Sequence, residues 1–228
     1  MTFWDIQSKM ITVPVTDEMK EVAIISAENR AQNIVRRFQM GKLSKAETNY
    51  SGCLGELAVK QYYGFPLTLD TVIANGKPDN GDIVLNGKIY DVKTQNMSEM
   101  SYDKLVAETL LDTDYKGTFR FTEKHIHHLQ SKYDGGVIWV ACNNNKNNYQ
   151  RDLEPSSKLE IRQEIIDNID EMLIVGISTQ QSFVNRKLYI SHDIAGDRMA
   201  CPNYLFHHSE LVQIPEKKLD FDTKKVVT

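Results

Sequence analysis

The spacing of apolar residues predicts two long helices in the first third of the chain. After Thr16, a suitable N-cap, apolar side chains recur at helical intervals and predict an amphipathic helix over about 17–39. A second helix is predicted to begin near Ala46 or Tyr50 and to end at Gly64, because glycine suits a helix C-terminus. We expect the first helix to pack on the core and to line its wetter surface with charged residues: Glu21, Glu28, Arg30, Arg36 and Arg37.

Beyond residue 99 the pattern alternates between helix and strand. The stretches 137–141 and 172–177 are apolar runs of strand length, which is typical of strands buried in a sheet. Further helices are predicted over 122–133, 159–169 and part of 99–112, short strands at 119–121 and 187–191, and a polar loop over 143–149. This order predicts an α/β fold in which helices flank a central mixed β-sheet.

A β-hairpin around residues 82–93 gives the clearest local prediction. Asn86-Gly87 separates two runs of alternating apolar residues, which is typical of a two-residue type I′ turn. Pairing outward from that turn sets Asp82 opposite Asp91, and strand alternation puts Lys93 on the same face. The other face is expected to point to the core and carries Ile83, Leu85, Tyr90 and Val92.

The two opposed carboxylates indicate a metal site. Residues directly opposite in a hairpin have Cβ atoms roughly 4.5–5.5 Å apart, where like charges destabilise a sheet unless a cation lies between them. Mg²⁺ binds carboxylate oxygens and can polarise a phosphoryl group. Lys93, beside it, could orient or deprotonate an attacking water or offset developing negative charge. The pattern is therefore typical of a site that hydrolyses a phosphate ester.

These residues resemble the signature of the PD-(D/E)xK nuclease superfamily. Residues 78–82 read Pro-Asp-Asn-Gly-Asp and residues 91–93 read Asp-Val-Lys, in the order that the signature requires. Upstream, residues 55–59 read Gly-Glu-Leu-Ala-Val and resemble the glutamate-bearing first core helix of many members. The resemblance covers about residues 50–95, and the order of the motifs together with the hairpin register makes the combination specific.

The resemblance implies a restriction-endonuclease-like core and a Mg²⁺-dependent endodeoxyribonuclease, with Mn²⁺ as a substitute ion. Asp82 and Asp91 would bind the metal, Lys93 would be the catalytic lysine, and Glu56 would be an accessory carboxylate that binds metal or water. Many relatives carry glutamate where this chain has Asp91, and the shorter side chain would bring the metal closer to the strand. The partner would be DNA, and a homodimer would let two active sites address two strands.

Two further residues have secondary roles in this interpretation. The family pattern leaves Asp79 and Asp82 competing for the first aspartate, and the hairpin register favours Asp82 because Asp79 precedes the pairing. Asp79 would then act through a water or by shaping the turn. Gln95 continues the alternation beyond Lys93, and glutamine occurs at that position in some relatives. Whether restriction-like, homing-type or junction-resolving cleavage is involved stays open.

The amino-acid composition limits the classes of protein that fit this sequence. The chain is 41% hydrophobic and 25% charged, with a net charge of −4, which is typical of a soluble globular protein and neither requires nor excludes DNA binding. We expect one domain over 1–228, with a catalytic core at about 46–142 and additional strands, a helix and a C-terminal tail over 143–228. Three widely spaced cysteines, no secretory leader and no apolar run of spanning length predict a cytoplasmic protein without a membrane segment.

Two alternatives remain open from the sequence. The first is a DNA-binding or assembly protein that has the same fold but no catalytic activity. The second is a zinc-stabilised interaction protein that would use a set of widely spaced side chains. These are His125, His128, Cys201, His207 and His208. The presence of Asp82, Asp91 and Lys93 argues against the first alternative, because a protein without catalytic activity would not need them. The second alternative lacks the CxxC or HExxH spacing that is typical of zinc sites.

Overall fold

The fold is given by a computed structural model of the chain. It describes residues 10–33, 42–69, 82–110, 118–145, 152–154, 156, 159–184, 186–190 and 201–215. Asp79, the predicted continuation of the first helix beyond residue 33, and the end of the predicted polar loop at 146–149 lie outside these ranges.

The two long helices form as the sequence predicts. Helix α1 covers Asp17–Asn33 and helix α2 covers Lys45–Tyr63. The start of α2 is fixed by a capping box, in which the Ser44 side chain accepts the Glu47 N–H and the Glu47 carboxylate accepts the Ser44 N–H. The helix ends at Gly64, whose φ of 76° is the left-handed conformation that glycine adopts at low cost.

The described residues contain eight strands and four shorter helices. The strands are β1 (Ile11–Pro14), β2 (Ile83–Leu85), β3 (Lys88–Ser98), β4 (Thr118–Thr122), β5 (Gly136–Asn145), β6 (Glu171–Ser178), β7 (Leu188–Tyr189) and β8 (Asn203–His207). The helices are α3 (Glu99–Val106), α4 (Ile126–Lys132), α5 (Gln163–Asn168) and α6 (Gln180–Phe183). None of the helices in these ranges is both long and apolar enough to span a bilayer.

A five-stranded sheet in the order β1-β6-β5-β3-β2 forms the centre of the fold. Strands β3 and β5 run parallel, and the other neighbouring strands are antiparallel, so the sheet is mixed. A separate three-stranded sheet has the order β4-β8-β7. The predicted α/β class with a central mixed sheet and flanking helices is confirmed.

Apolar side chains cover both faces of the central sheet. On one face, the predicted core residues of the hairpin pack with α1 and α2: Ile83, Leu85, Tyr90 and Val92. On the other face Trp139 packs against Phe119 and Phe206, which come from the three-stranded sheet. Asp91 is paired in register with Val137, a member of this second core, so the Asp91 side chain belongs to the second face.

Several elements differ from the prediction. Residues 143–145 belong to β5 and not to a polar loop, because pairing with β3 extends the strand to the Ser98–Asn145 pair. The predicted helix over 159–169 forms only over Gln163–Asn168, and a 3₁₀ turn over Glu123–His125 precedes α4. Strands β1 and β8 and helix α6 were not predicted, because they are too short to show a clear periodicity.

Gly55 lets α2 lie close against β3. A Cβ atom added at Gly55 would lie 1.9 Å from Thr94 Oγ1 and 3.2 Å from Thr94 Cβ, far closer than van der Waals contact permits. Gly52, on the same helix, has open space around the corresponding position. The close approach at Gly55 sets the distance between β3 and the next residue, Glu56.

We expect Gly55→Ala to lower the free energy of unfolding by about 1–3 kcal/mol through overpacking against Thr94. The matched control, Gly52→Ala, should raise it by about 0.5–1 kcal/mol, because alanine is the better helix former where nothing is displaced. Urea unfolding monitored by circular dichroism measures both changes. If Gly55→Ala were as stabilising as the control, the close packing of α2 on β3 would be wrong.

Candidate active site

The hairpin has the predicted register. Ile83 pairs with Tyr90 and Leu85 with Lys88. The turn residues Asn86 and Gly87 have φ angles of 50° and 76°, the positive values that a type I′ turn requires. The register that the Asn-Gly turn predicts is therefore confirmed over the paired residues.

Asp82 lies just before the paired residues and reaches β3 through its side chain. Its backbone N–H donates to the Tyr90 carbonyl at 3.2 Å, and its Oδ2 accepts the Val92 N–H at 2.5 Å. Strand β2 pairs only with residues 88–90 of β3. Beyond these residues, the Asp82 carboxylate accepts the Val92 N–H, which the carbonyl of a longer β2 strand would otherwise accept. The regular pairing thus stops one pair short of Asp82 and Asp91.

Asp91 and Lys93 form an ion pair on the second face of β3. Lys93 Nζ donates to Asp91 Oδ1 at 2.7 Å. The Asp91 side chain is only 7% exposed, whereas that of Lys93 is 36% exposed and reaches the surface. Burial acts to lower the pKa of Lys93, but the charges of Asp91, Asp82 and Glu56 outweigh it and raise the pKa, so the ammonium is protonated at neutral pH.

Glu56 lies near these residues but is held by an arginine from α1. Arg30 Nη1 donates to Glu56 Oε1 at 2.6 Å, and Arg30 Nη2 donates to Glu56 Oε2 at 2.9 Å. The side chains are 16% and 12% exposed, so the prediction that Arg30 lines the wetter surface of α1 is wrong. The periodicity of a single helix does not show that α2 packs along this side of α1, which is why sequence reasoning missed Arg30.

Five charged side chains of both signs interact around the open end of the β2–β3 hairpin. We call them the charged cluster: Arg30, Glu56, Asp82, Asp91 and Lys93. Burial, followed by the charges of Glu56 and Asp91, raises the pKa of Asp82 well above its ordinary value of 3.8. Lys93 and the Val92 N–H act in the opposite direction but do not cancel the rise. Burial is the largest cause of this rise, and the two neighbouring carboxylates add to it.

The donor set suits a small, hard cation at Asp82 and Asp91. Asp82 Oδ1 and Asp91 Oδ2 accept no hydrogen bond from the described residues, whereas both oxygens of Glu56 are engaged by Arg30. Among the described residues, no three side chains of His, Cys, Asp or Glu are grouped so that they could hold a metal ion. Mg²⁺ commonly binds through one or two carboxylates and keeps several waters, so the two aspartates fit it.

The remaining predicted site residue in the described ranges is Gln95. It follows Lys93 on β3, pairs in register with Ala141, and shares the face of Asp91 and Lys93 by strand alternation. Its secondary role stays a prediction.

Asp82 should destabilise the metal-free fold at neutral pH. A carboxyl whose folded-state pKa is raised stabilises the fold fully below its unfolded pKa, and this stabilisation is lost as pH rises through the folded-state pKa. Asp82→Asn keeps an oxygen for the Val92 N–H and removes the charge, so we expect a higher urea midpoint than wild type at pH 8 in EDTA. The difference should shrink at pH 4. A midpoint at pH 8 no higher than that of wild type would contradict the burial and charge repulsion that raise the pKa of Asp82.

Comparisons with known proteins leave the site to be interpreted from its own geometry. No family model matches the sequence, no curated protein matches it, and no solved structure matches the fold.

Proposed function

We propose that this protein is a Mg²⁺-dependent endodeoxyribonuclease that hydrolyses DNA phosphodiester bonds on a restriction-endonuclease-like core. The observation that carries the proposal is the convergence of Asp82, Asp91 and Lys93 at the end of the β2–β3 hairpin, beside Glu56. These residues stand in the order of the PD-(D/E)xK signature. A mixed sheet with β3 and β5 parallel at its centre is compatible with such a core.

In this proposal each side chain has a separate task. Asp82 and Asp91 would hold Mg²⁺, which when bound supplies Lewis-acid stabilisation of the charge on a phosphoryl group. Lys93, which carries a positive charge and reaches the surface, would orient the attacking water and offset negative charge as the bond to phosphorus forms. Glu56 would contribute as an accessory group.

The proposed reaction uses groups that lie on, or are hydrogen-bonded to, a regular strand. Asp91 and Lys93 lie on a strand that is hydrogen-bonded to β5 along most of its length, and Asp82 is anchored by the Val92 N–H. Groups on regular elements keep their geometry better than groups on loops, which matters for in-line attack on a phosphate. The α2 helix brings Glu56 close because Gly55 permits contact with Thr94.

The experiment is a cleavage assay on plasmid, branched and single-stranded DNA with Mg²⁺, with Mn²⁺ and with EDTA. Wild type should cleave at least one substrate only when the metal is present, and Asp91→Asn should abolish cleavage. The matched control is Asp103→Asn on α3, where the carboxylate is exposed and should be dispensable. Absence of metal-dependent cleavage on all substrates, or equal activity in both variants, would contradict the proposal.

A DNA-binding protein without catalytic activity is the second candidate. The observation that favours it is that Arg30 and Lys93 already pair with Glu56 and Asp91, so the charged cluster is partly balanced by the protein itself. Measurable DNA affinity together with no binding of Mn²⁺ by calorimetry would favour this candidate over the nuclease.

A further inference from the structure

Arg30 has no task in the reaction proposed above, yet it lies inside the charged cluster. It grips Glu56 with two hydrogen bonds of 2.6 and 2.9 Å, one to each carboxylate oxygen. In such a bidentate pair each hydrogen bond is charge-assisted and about twice as strong as one between neutral groups. Glu56 therefore has no carboxylate oxygen that is not already engaged by the guanidinium.

The Arg30 side chain is largely buried where it contacts Glu56. The side chain comes from α1, is 16% exposed, and its Nε is buried without a hydrogen-bond partner among the described residues. The charge of Asp82 also acts on Arg30 and favours its protonated form, in addition to the larger effect of Glu56. Arg30 is thus a cation that is hydrogen-bonded to the α2 carboxylate and lies within the electrostatic influence of Asp82.

We infer that Arg30 is a positioning residue that holds Glu56 out of the metal coordination shell, so that the site takes its divalent cation on Asp82 and Asp91 alone. This inference rests on the proposed function. In it, Glu56 does not contact the metal directly and takes part only through its pair with Arg30.

The consequence is that Arg30 weakens metal binding. Removal of the guanidinium would release both oxygens of Glu56, which lies near Asp82 and Asp91. A bound divalent cation would then relieve more repulsion and gain a third carboxylate, and affinity for hard cations rises with the number of charged ligands. Arg30 therefore tunes the affinity of the site downward, which leaves coordination positions to water and substrate.

Calorimetric titration of the full-length protein with Mn²⁺, in the absence of DNA, tests this inference. Arg30→Met should bind Mn²⁺ about tenfold more tightly than wild type, because a further carboxylate is released. The double variant Arg30→Met/Glu56→Gln should return to within about threefold of wild type, because the released group is gone. Arg30→Lys, which lacks the fork, should lie between wild type and Arg30→Met.

The outcomes separate the inference from the proposed function. If wild type binds Mn²⁺ and Arg30→Met does not tighten binding, or if the double variant binds as tightly as Arg30→Met, the inference about Arg30 is wrong and the metal site stands. If wild type binds no Mn²⁺, both fail. Thermal unfolding in EDTA establishes that each variant is folded. Should Arg30→Met not fold, tighter binding by Arg30→Lys that Arg30→Lys/Glu56→Gln reverses supports the inference, and any other result overturns it.

Discussion

Lys93→Met is expected to slow DNA cleavage by about 10²–10⁴-fold while the protein still binds Mn²⁺, because a positioned proton-transfer or charge-stabilising group contributes on this scale. The ammonium contacts Asp91 Oδ1 at 2.7 Å and is the partly exposed cation of the pair, so it can face a phosphate that approaches the hairpin. Methionine keeps much of the side-chain length and removes the charge.

The matched control for this variant is Lys88→Met. Lys88 lies on the same strand, at the turn of the hairpin, where its side chain is exposed. The same loss of charge there should leave the single-turnover rate within about twofold of wild type, because surface charges far from the cluster are screened. Equal loss in both variants, or a Lys93→Met rate close to wild type, would show that Lys93 does not act in the reaction.

Arg162→Met is expected to lower the free energy of unfolding by about 3–5 kcal/mol, the usual cost of removing one partner of a buried ion pair. Glu47 is fully buried, and its Oε1 and Oε2 accept hydrogen bonds of 2.6 and 2.8 Å from Arg162 Nε and Nη2. The Arg162 guanidinium also donates to the carbonyls of Lys42 and Glu154. The pair thus ties the start of α2, the helix that carries Glu56, to the chain before α5.

Urea unfolding at neutral pH measures this effect, and Lys88→Met again serves as a control that should change stability by less than about 0.5 kcal/mol. A change below about 1 kcal/mol for Arg162→Met would mean that the pair behaves as a solvated surface contact.

The ion pair between Arg162 and Glu47 should also affect how stability depends on pH. Burial acts to raise the pKa of Glu47, but hydrogen bonds from Arg162 and from the Ser44 N–H outweigh it, so the pKa lies below its ordinary value of 4.5. A lowered pKa stabilises the fold above the unfolded value, and that stabilisation is lost as pH falls through the folded-state pKa. Wild type should therefore lose stability more steeply below about pH 4.5 than Arg162→Met does.

Local signals in the sequence predicted the parts of the fold that depend on near neighbours. The Asn86-Gly87 turn fixes its own hairpin register, and Gly64 ends α2, because each effect acts within a few residues. The same register predicts that Asp82, Asp91 and Lys93 share one face of the hairpin. Their proximity at the hairpin follows from alternation along a single strand pair.

Contacts between distant elements were not predictable in the same way. Arg30 and Glu56 belong to different helices, and which face of α1 meets α2 depends on packing that one amphipathic pattern does not specify. The second face of the central sheet was likewise missed, because β8 and its partners are short and their burial against Trp139 is a tertiary effect. Asp91 is consequently more buried than an aspartate on a wet hairpin face would be.

The central claim is that a divalent cation binds at Asp82 and Asp91. Anomalous diffraction from a crystal grown with Mn²⁺ tests it most directly. The expected result is an anomalous peak about 2.0–2.3 Å from one oxygen of Asp82 and one oxygen of Asp91, with Glu56 still paired to Arg30. No peak at the charged cluster under saturating Mn²⁺, in crystals whose carboxylates are accessible to solvent, would contradict the metal site and with it the proposed hydrolysis.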